Sequence, residues 1–330
     1  PNLVAYYKNV KDNIHSFAVS PTGKRALFDA RGDIFSVPAE NGVTENLTST
    51  QGIREIFPAW SPDGRYISYY SDKTGEYELY LLENKKGALP KQVTFNSSAW
   101  KYQPLWSPDS RYLVFFDRTL NLRILEASTG KVTDIDHAAS SEIRSYSVSP
   151  DSRWVAYQKE GSNEKSAIWV YEIPTGKKQQ LTDGTFADNN PVFSLDGNYI
   201  FFESDRDYNL TFSSFEFDYL YNRSTKLYAL SLTTGSPRIF KDKNDTEPVK
   251  AEKPATPSAA TSKDKKSKTQ ASDTSTAKKE IKVDIDFNGI NNRVTALPGD
   301  AGEYRIIGAC DGGLIFISNG KLMKFNLKEE

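Results

Sequence analysis

The chain has 330 residues, 38% apolar and 26% charged, enough for a sizeable core in one large repeat domain or two ordinary ones. Forty-two basic against forty-three acidic side chains leave a formal charge of -1, so no global field draws in nucleic acid or an anionic membrane. No apolar run approaches the roughly 20 residues of a bilayer span, and two histidines with one cysteine cannot build a disulfide or an ordinary zinc site, so neither metal nor cofactor is expected. Eighteen Tyr, eighteen Phe and five Trp point to a β-rich chain, because flat and branched side chains fit a pleated surface. The chain opens on Pro1 without a basic and apolar leader, so a piece cut from something longer is expected.

In chain order, one tetrapeptide returns: Ser20-Pro21-Thr22-Gly23, Ser61-Pro62-Asp63-Gly64, Ser107-Pro108-Asp109-Ser110, Ser149-Pro150-Asp151-Ser152 and the weaker Ser194-Leu195-Asp196-Gly197, in steps of 41 to 46 residues. That period is one four-stranded propeller blade. Each turn is followed by an apolar second strand, predicted over Lys24 to Phe28, Arg65 to Tyr70, Tyr112 to Phe116, Trp154 to Gln158 and Tyr199 to Glu203. Third strands follow at Asp33 to Val37, Tyr77 to Leu82, Leu122 to Glu126, Ala167 to Glu172 and Lys226 to Leu230. A polar, apolar, Thr pattern marks the outermost strands at Asn46-Leu47-Thr48, Gln92-Val93-Thr94, Lys131-Val132-Thr133 and Gln180-Leu181-Thr182. The turn residues have a structural reason to recur, since Pro presets φ, Asp bonds its own backbone and Gly accepts positive φ.

After the fifth unit the pattern breaks. Glu247 to Lys282 is built from Lys, Ser, Thr, Ala, Pro and Asp without an aromatic, a composition that cannot bury enough surface to fold. Asn292 to Leu297 resembles the outer strands and would complete blade 5 after this detour; a sixth unit then runs from Tyr304 to Leu327 and stops before its outer strand. The expected organisation is residues 1–16 as a lead-in, with Leu3 to Val10 available as a closing strand. Blades 1 to 5 then occupy 17–240, a disordered insert within blade 5 takes 241–282, and 283–330 hold the end of blade 5 and an incomplete blade 6. An unpaired sheet edge would invite either that closing strand or another copy of the chain, giving a homo-oligomer.

Ser20 to Phe28 followed by Ala30-Arg31-Gly32-Asp33-Ile34-Phe35-Ser36-Val37-Pro38-Ala39 resembles the opening of the second, seven-bladed propeller of the tricorn protease family. Pro58 to Gly64, Ser71 to Glu78, Phe202 to Asp207 and Ile285 to Ile290 are similar to it as well, so the likeness covers all but Glu247 to Lys282. It implies an all-β propeller of four-stranded blades with TolB/WD-like repeats, about six of them visible and seven in the full-length protein. It further implies a non-catalytic part that guides or gates peptides for a serine peptidase domain, with a PDZ domain, elsewhere in the same chain. A cytoplasmic protein, or a periplasmic one where a leader is cleaved, fits that family. Two other readings of the repeats are a free-standing TolB-like protein-binding scaffold and the propeller of a prolyl-oligopeptidase-like hydrolase.

A hydrolase needs a nucleophile paired with a base, and His15 and His137 both read as solvated residues outside the strands, without a nucleophile-elbow motif. No catalytic residue is assigned. Asp134 and Asp136, like Asp205 and Asp207, read as solvated loop acids. The binding candidates lie in loops that lead from an outer strand to the next innermost strand and approach the central channel: Arg54, Glu55, Trp100, Lys101, Tyr102, Arg144 and Asp188, with Arg206 beside them. Mixed charge and aromatic surface suit loose contact with a passing peptide. The excursion Asp207 to Thr225 carries Tyr208, Phe212, Phe215, Phe217, Tyr219 and Tyr221, and such a loop is expected to pack on a neighbouring domain or over the channel mouth.

Overall fold

A computed structural model describes residues 11–207, 210–221, 223–240 and 281–327. The segments assigned as closing strand Leu3 to Val10 and as most of the insert lie outside the described residues. Blade 1 comprises β1 (Ile14–Val19), β2 (Arg25–Ala30), β3 (Asp33–Pro38) and β4 (Glu45–Asn46), and blade 2 comprises β5 (Glu55–Trp60), β6 (Tyr66–Ser71), β7 (Glu78–Glu83) and β8 (Lys91–Gln92). Blade 3 is β9 (Leu105–Trp106), β10 (Tyr112–Phe116), β11 (Asn121–Glu126) and β12 (Val132–His137); blade 4 is β13 (Tyr146–Val148), β14 (Trp154–Glu160), β15 (Ser166–Glu172) and β16 (Lys177–Gln180). Blade 5 starts with β17 (Asp188–Phe193) and β18 (Tyr199–Ser204). A separate hairpin, β19 (Leu210–Ser213) with β20 (Asp218–Tyr221), intervenes before β21 (Lys226–Ser231) and β22 (Val294–Ala296) complete the sheet. Blade 6 has β23 (Tyr304–Cys310), β24 (Gly313–Ser318) and β25 (Lys321–Asn326). All neighbouring strands within a blade are antiparallel, and the fold is an all-β propeller.

The central strands are apolar on both sides because each blade is sandwiched between two others. In β10, Leu113 and Phe115 enter the core shared with blade 2, while Val114 and Phe116 enter the core shared with blade 4. Alternate side chains of a strand point to opposite faces, so two buried faces turn a period-two pattern into a continuous run. Each of these side chains removed from water contributes roughly 1.5–3 kcal/mol. Among the described residues, the end blades lack this cover on one side. Phe17 and Val19 of β1, and Ile307, Leu322 and Met323 of blade 6, are exposed.

The recurrent tetrapeptide joins the first strand of a blade to the second, which places all five turns on one face. In blade 3, Ser107 Oγ donates to Asp109 Oδ1 at 2.6 Å and accepts from the Tyr112 amide at 2.9 Å; Asp109 Oδ1 also accepts from the Arg111 amide at 3.0 Å. Blades 2, 4 and 5 repeat this pattern, and in blade 1 the substitution of Thr22 for Asp leaves only the bond from the Arg25 amide to Ser20 Oγ. The threonine of the outer-strand pattern has its own task. Thr48, Thr94 and Thr182 Oγ1 accept from the amides of Ile34, Leu79 and Ile168, replacing a ladder partner where the outer strand peels away. That is why β4 and β8 are only two residues long although the pattern continues.

Candidate functional site

The face opposite the turns is built from the loops between blades. Six positions before the turn serines of blades 2 to 5 stand Glu55, Lys101, Ile143 and Asp188, and all four are buried, whereas Ile14 at the same place in blade 1 is exposed. Glu55 lies opposite Ser71 in the ladder, Asp188 opposite Ser204, and Lys101 opposite Asp117 in an isolated bridge. The expectation of open loops at these three positions is therefore corrected: Glu55 and Asp188 are strand residues, and all three are enclosed by their own and adjacent blades.

The eight candidates gather in three groups rather than one. Arg54, Trp100 and Lys101 converge on Tyr77. Lys101 Nζ donates to the Tyr77 carbonyl at 2.8 Å and to Ser97 Oγ, with Glu78 Oε2 at 3.9 Å. Burial, the largest influence, pushes the Lys101 pKa down, while Glu78 and Asp117 act in the other direction. Trp100 packs edge-on against Tyr77 and Phe57, with ring centroids 5.1 and 6.1 Å away, and the charge of the exposed Arg54 opposes the rise in the Tyr77 pKa that burial causes. A cavity of ≈ 320 Å³ beside this group is bounded by Glu78, Lys101, Asp117 and Arg123, where Arg123 pairs with both Asp117 and Asp134. Those charges answer one another, so the cavity wall is a structural network.

Next to Arg54, Glu55 Oε1 accepts from Thr50 Oγ1 at 2.7 Å, while Oε2 is buried without a hydrogen-bond partner. Burial raises the Glu55 pKa above the usual carboxylate range. The second group centres on Glu142, which accepts from the Tyr102 hydroxyl at 2.6 Å and from Arg144 Nε at 2.8 Å, while the Tyr102 ring stacks on Phe116 at 5.6 Å. In the third, Arg206 Nη2 grips both oxygens of Asp188 at 2.7 and 2.9 Å and lies over the rings of Phe186, Phe202 and Tyr228. What the loops between blades offer to a passing molecule is two exposed arginines, Arg54 and Arg144, and the half-buried rings of Trp100 and Tyr102, while Arg31, Lys73, Arg118 and Lys165 add exposed cations from the second-to-third-strand connections of the same face. Glu55, Lys101 and Asp188 shape the loops from beneath.

Both histidines lie in strands rather than in loops. His15 belongs to β1, and His137 ends β12 with its ring 3.1 Å from Asn121 Oδ1. Asp136 is likewise not a solvated loop acid. It is a buried residue of β12 that accepts from the Tyr157 hydroxyl at 2.9 Å and pairs with Lys159 and Lys178 at 2.9 and 2.5 Å. Burial, the largest influence, would raise its pKa, but the two lysines, the His137 amide and Tyr157 together hold the carboxyl below its usual range. Sequence reasoning also missed the polar residues that tie second strands to the next blade. Asp29 Oδ2 accepts from the Phe57 amide at 3.2 Å, Gln158 Oε1 from Asn190 at 2.9 Å, and Glu203 Oε1 from Ile306 at 2.6 Å. Their common place, nine residues after the turn serine, is the signal that could have found them. Among the described residues, no group of three or more His, Cys, Asp or Glu side chains is placed to hold a metal ion, and no helix is long and apolar enough to cross a membrane.

The excursion of blade 5 forms the β19–β20 hairpin, and within this chain Phe212, Phe215, Phe217 and Tyr219 are all exposed. Its base is fixed by Thr225 Oγ1 donating to Asp205 at 2.6 Å and by the Lys226–Asp207 pair.

Residues 14–327 match the family described as the tricorn protease second beta propeller domain. The chain is 21% identical over 321 residues to tricorn protease homolog 1 of Streptomyces coelicolor, covering 96% of this chain and 28% of that protein. It is 24% identical over 256 residues to the tricorn protease of Thermoplasma volcanium, covering 72% of this chain and 23% of that one. The crystal structure of the tricorn protease superposes with a TM-score of 0.70 at 15% identity, over 97% of this chain and 30% of the other, and so supports the fold. This chain thus spans less than a third of the length of these relatives, and with the family match running through all six blades it belongs to the tricorn protease second beta propeller domain family.

Proposed function

We propose that this chain is the non-catalytic propeller of a tricorn-like serine peptidase and that it guides or gates peptides towards a peptidase domain carried, with a PDZ domain, elsewhere in a longer chain. The family match over residues 14–327 carries the reading, and the side chains on the loop face are compatible with it. Arg54 and Arg144 offer charge-assisted bonds to peptide carboxylates and carbonyls, while Trp100 and Tyr102 offer flat surface to side chains of any sequence. Buried Lys101, Glu55, Asp188 and the Arg206 clamp hold those loops in place. Contacts of this kind are loose, which suits transit better than storage.

Two measurements test the proposal. Fluorogenic peptides should remain uncleaved by this chain, and a serine-directed probe should not label it; stoichiometric labelling of one serine that disappears on denaturation would overturn the non-catalytic assignment. Replacing Arg54 and Arg144 together by Ala should weaken binding of short acidic peptides by about tenfold, the loss expected of two charge-assisted contacts. Undiminished binding would remove the loop face from the peptide path.

A further inference from the structure

The β19–β20 hairpin pairs only within itself, as a two-stranded sheet in which Thr211 faces Leu220, Phe212 faces Tyr219 and Ser213 faces Asp218. Each strand therefore keeps one free edge among the described residues. The hairpin is rooted beside the Arg206–Asp188 clamp, on the same face as the exposed arginines of the blade loops. Beyond that root, Phe212 meets Phe217 and Tyr219 edge-on at 6.5 and 5.5 Å, forming a cluster of three rings. These rings are 52%, 80% and 63% exposed, and Phe215 at the tip is 92% exposed.

A two-stranded ribbon is marginal in water, whereas a third strand laid along an apolar face makes an independently stable sheet. An unpaired edge beside an uncovered aromatic cluster is the arrangement that takes up an extended chain: main-chain hydrogen bonds give affinity, and alternate side chains find the rings. The charge of the ribbon selects among such chains. From Leu210 to Tyr221 it carries Glu216 and Asp218 and no Lys or Arg. Asp218 opens β20 and Glu216 stands in the turn beside it, so a basic strand laid along the ribbon is drawn towards this end and an acidic one repelled.

Resting on the reading that this chain handles peptides, we propose that the β19–β20 hairpin is a capture arm for extended peptides that combine aromatic or aliphatic side chains with lysine or arginine, which add along one of its edges as a third strand. Basic-apolar segments are held at the arm, while acidic ones fall to Arg54 and Arg144 on the same face. The two elements divide peptides by charge.

The experiment uses the chain as it is, with fluorescein-labelled peptides of alternating Lys and Phe and, as the counterpart, alternating Glu and Phe, followed by fluorescence anisotropy. The Lys–Phe peptide should bind at least about tenfold more tightly than its acidic counterpart and weaken as salt rises from about 0.05 to about 0.5 M. The double substitution Phe215→Ser with Phe217→Ser, both at exposed tip positions, should weaken Lys–Phe binding by about tenfold or more. Glu216→Gln with Asp218→Asn should abolish the charge preference while retaining apolar binding. If both hairpin variants bind Lys–Phe peptide as the parent does, the capture arm is wrong; loss of Glu–Phe binding in the Arg54/Arg144 variant would then leave the broader peptide-handling reading intact. If no peptide binds the parent at all, both fall. If the tip substitutions convert a dimer to a monomer in light scattering without changing peptide affinity, the occupant of the arm is a second copy of the chain and the proposal is overturned.

Discussion

On the turn face, the junction between blades 3 and 4 and the junction between blades 4 and 5 start from nearly the same tetrapeptide and are closed in different ways. At the first, the Asp109 amide donates to Ser152 Oγ at 3.0 Å, repeating the bond from the Asp63 amide to Ser110 Oγ one blade earlier. Ser110 and Ser152 hold φ of 63 and 59°, a left-handed conformation that costs an L-residue about 1–2 kcal/mol. Their hydroxyls reach the neighbouring turn only from there. At the second junction the corresponding residue is Gly197, and the chain returning from the insert takes over. Val283 is fully buried, its amide donates to Asp151 Oδ2 at 2.8 Å, and its carbonyl accepts from Trp154 Nε1 at 3.3 Å. A Cβ at Gly197 would come within 2.8 Å of Val283 Cγ2 and 3.2 Å of Ile281 Cγ2. Regular blades are thus stitched neighbour to neighbour, whereas an interrupted blade is stitched by the strap that restarts it. Gly197 is required by the strap as well as by its φ of 74°.

The largest effect should come from filling the place of the strap. Gly197→Val is expected to cost about 3 kcal/mol or more, a fall in Tm of roughly 6 °C, because overpacking adds to the backbone strain. Gly64→Val supplies the comparison, since Gly64 has a similar φ of 72° with nothing within 4 Å of a Cβ. If thermal unfolding shows equal losses for both, the strap contributes nothing beyond the turn.

The next effect concerns the other junction, which has a second fastening at its flank. Asp136 of blade 3 binds Tyr157, Lys159 and Lys178 of blade 4, and Asp136→Asn should cost about 2–3 kcal/mol by leaving two cations facing a neutral amide. The folded pKa of Asp136 lies below its ordinary value, so its contribution is fully present above the ordinary carboxylate range and is lost as pH falls through the lowered folded value. Urea unfolding of the two proteins should accordingly converge in acid. A gap independent of pH would mean that the ion pairs add no stability. Smaller again, Trp154→Phe keeps most of the buried area and removes the bond to the Val283 carbonyl, an expected loss of about 1 kcal/mol in the same assay.

The contrast also explains what could be read in the sequence. The strand over Tyr112–Phe116 coincides with the prediction because a doubly buried strand announces itself in every residue. The turn serines and aspartates were legible for the same reason, being bonded within a few positions of themselves. Lys101 was not, since its burial depends on Tyr77, Glu78 and Ser97, which local spacing does not bring to it. Asp136 looks like any loop acid until blade 4 supplies two lysines. The hairpin itself was not legible: the excursion reads as a loop, and the pairing of Leu210–Ser213 with Asp218–Tyr221 orders its backbone while leaving the rings uncovered within this chain.

The smallest effect separates the two costs hidden in the regular junction. Ser152→Ala retains the left-handed residue and deletes the acceptor for the Asp109 amide, so it should destabilise by about 1 kcal/mol. Ser152→Gly deletes the same acceptor and also relieves the strain, since glycine populates positive φ without penalty, and it should change stability by less than about 0.5 kcal/mol. The pair isolates the hydrogen bond from the backbone conformation that makes it. Equal losses in the urea midpoint for both variants would show that the left-handed turn carries no strain at this site. If neither variant loses stability, the bond between turns contributes nothing, and the difference between a serine-linked and a strap-linked junction reduces to the room that Gly197 leaves for Val283.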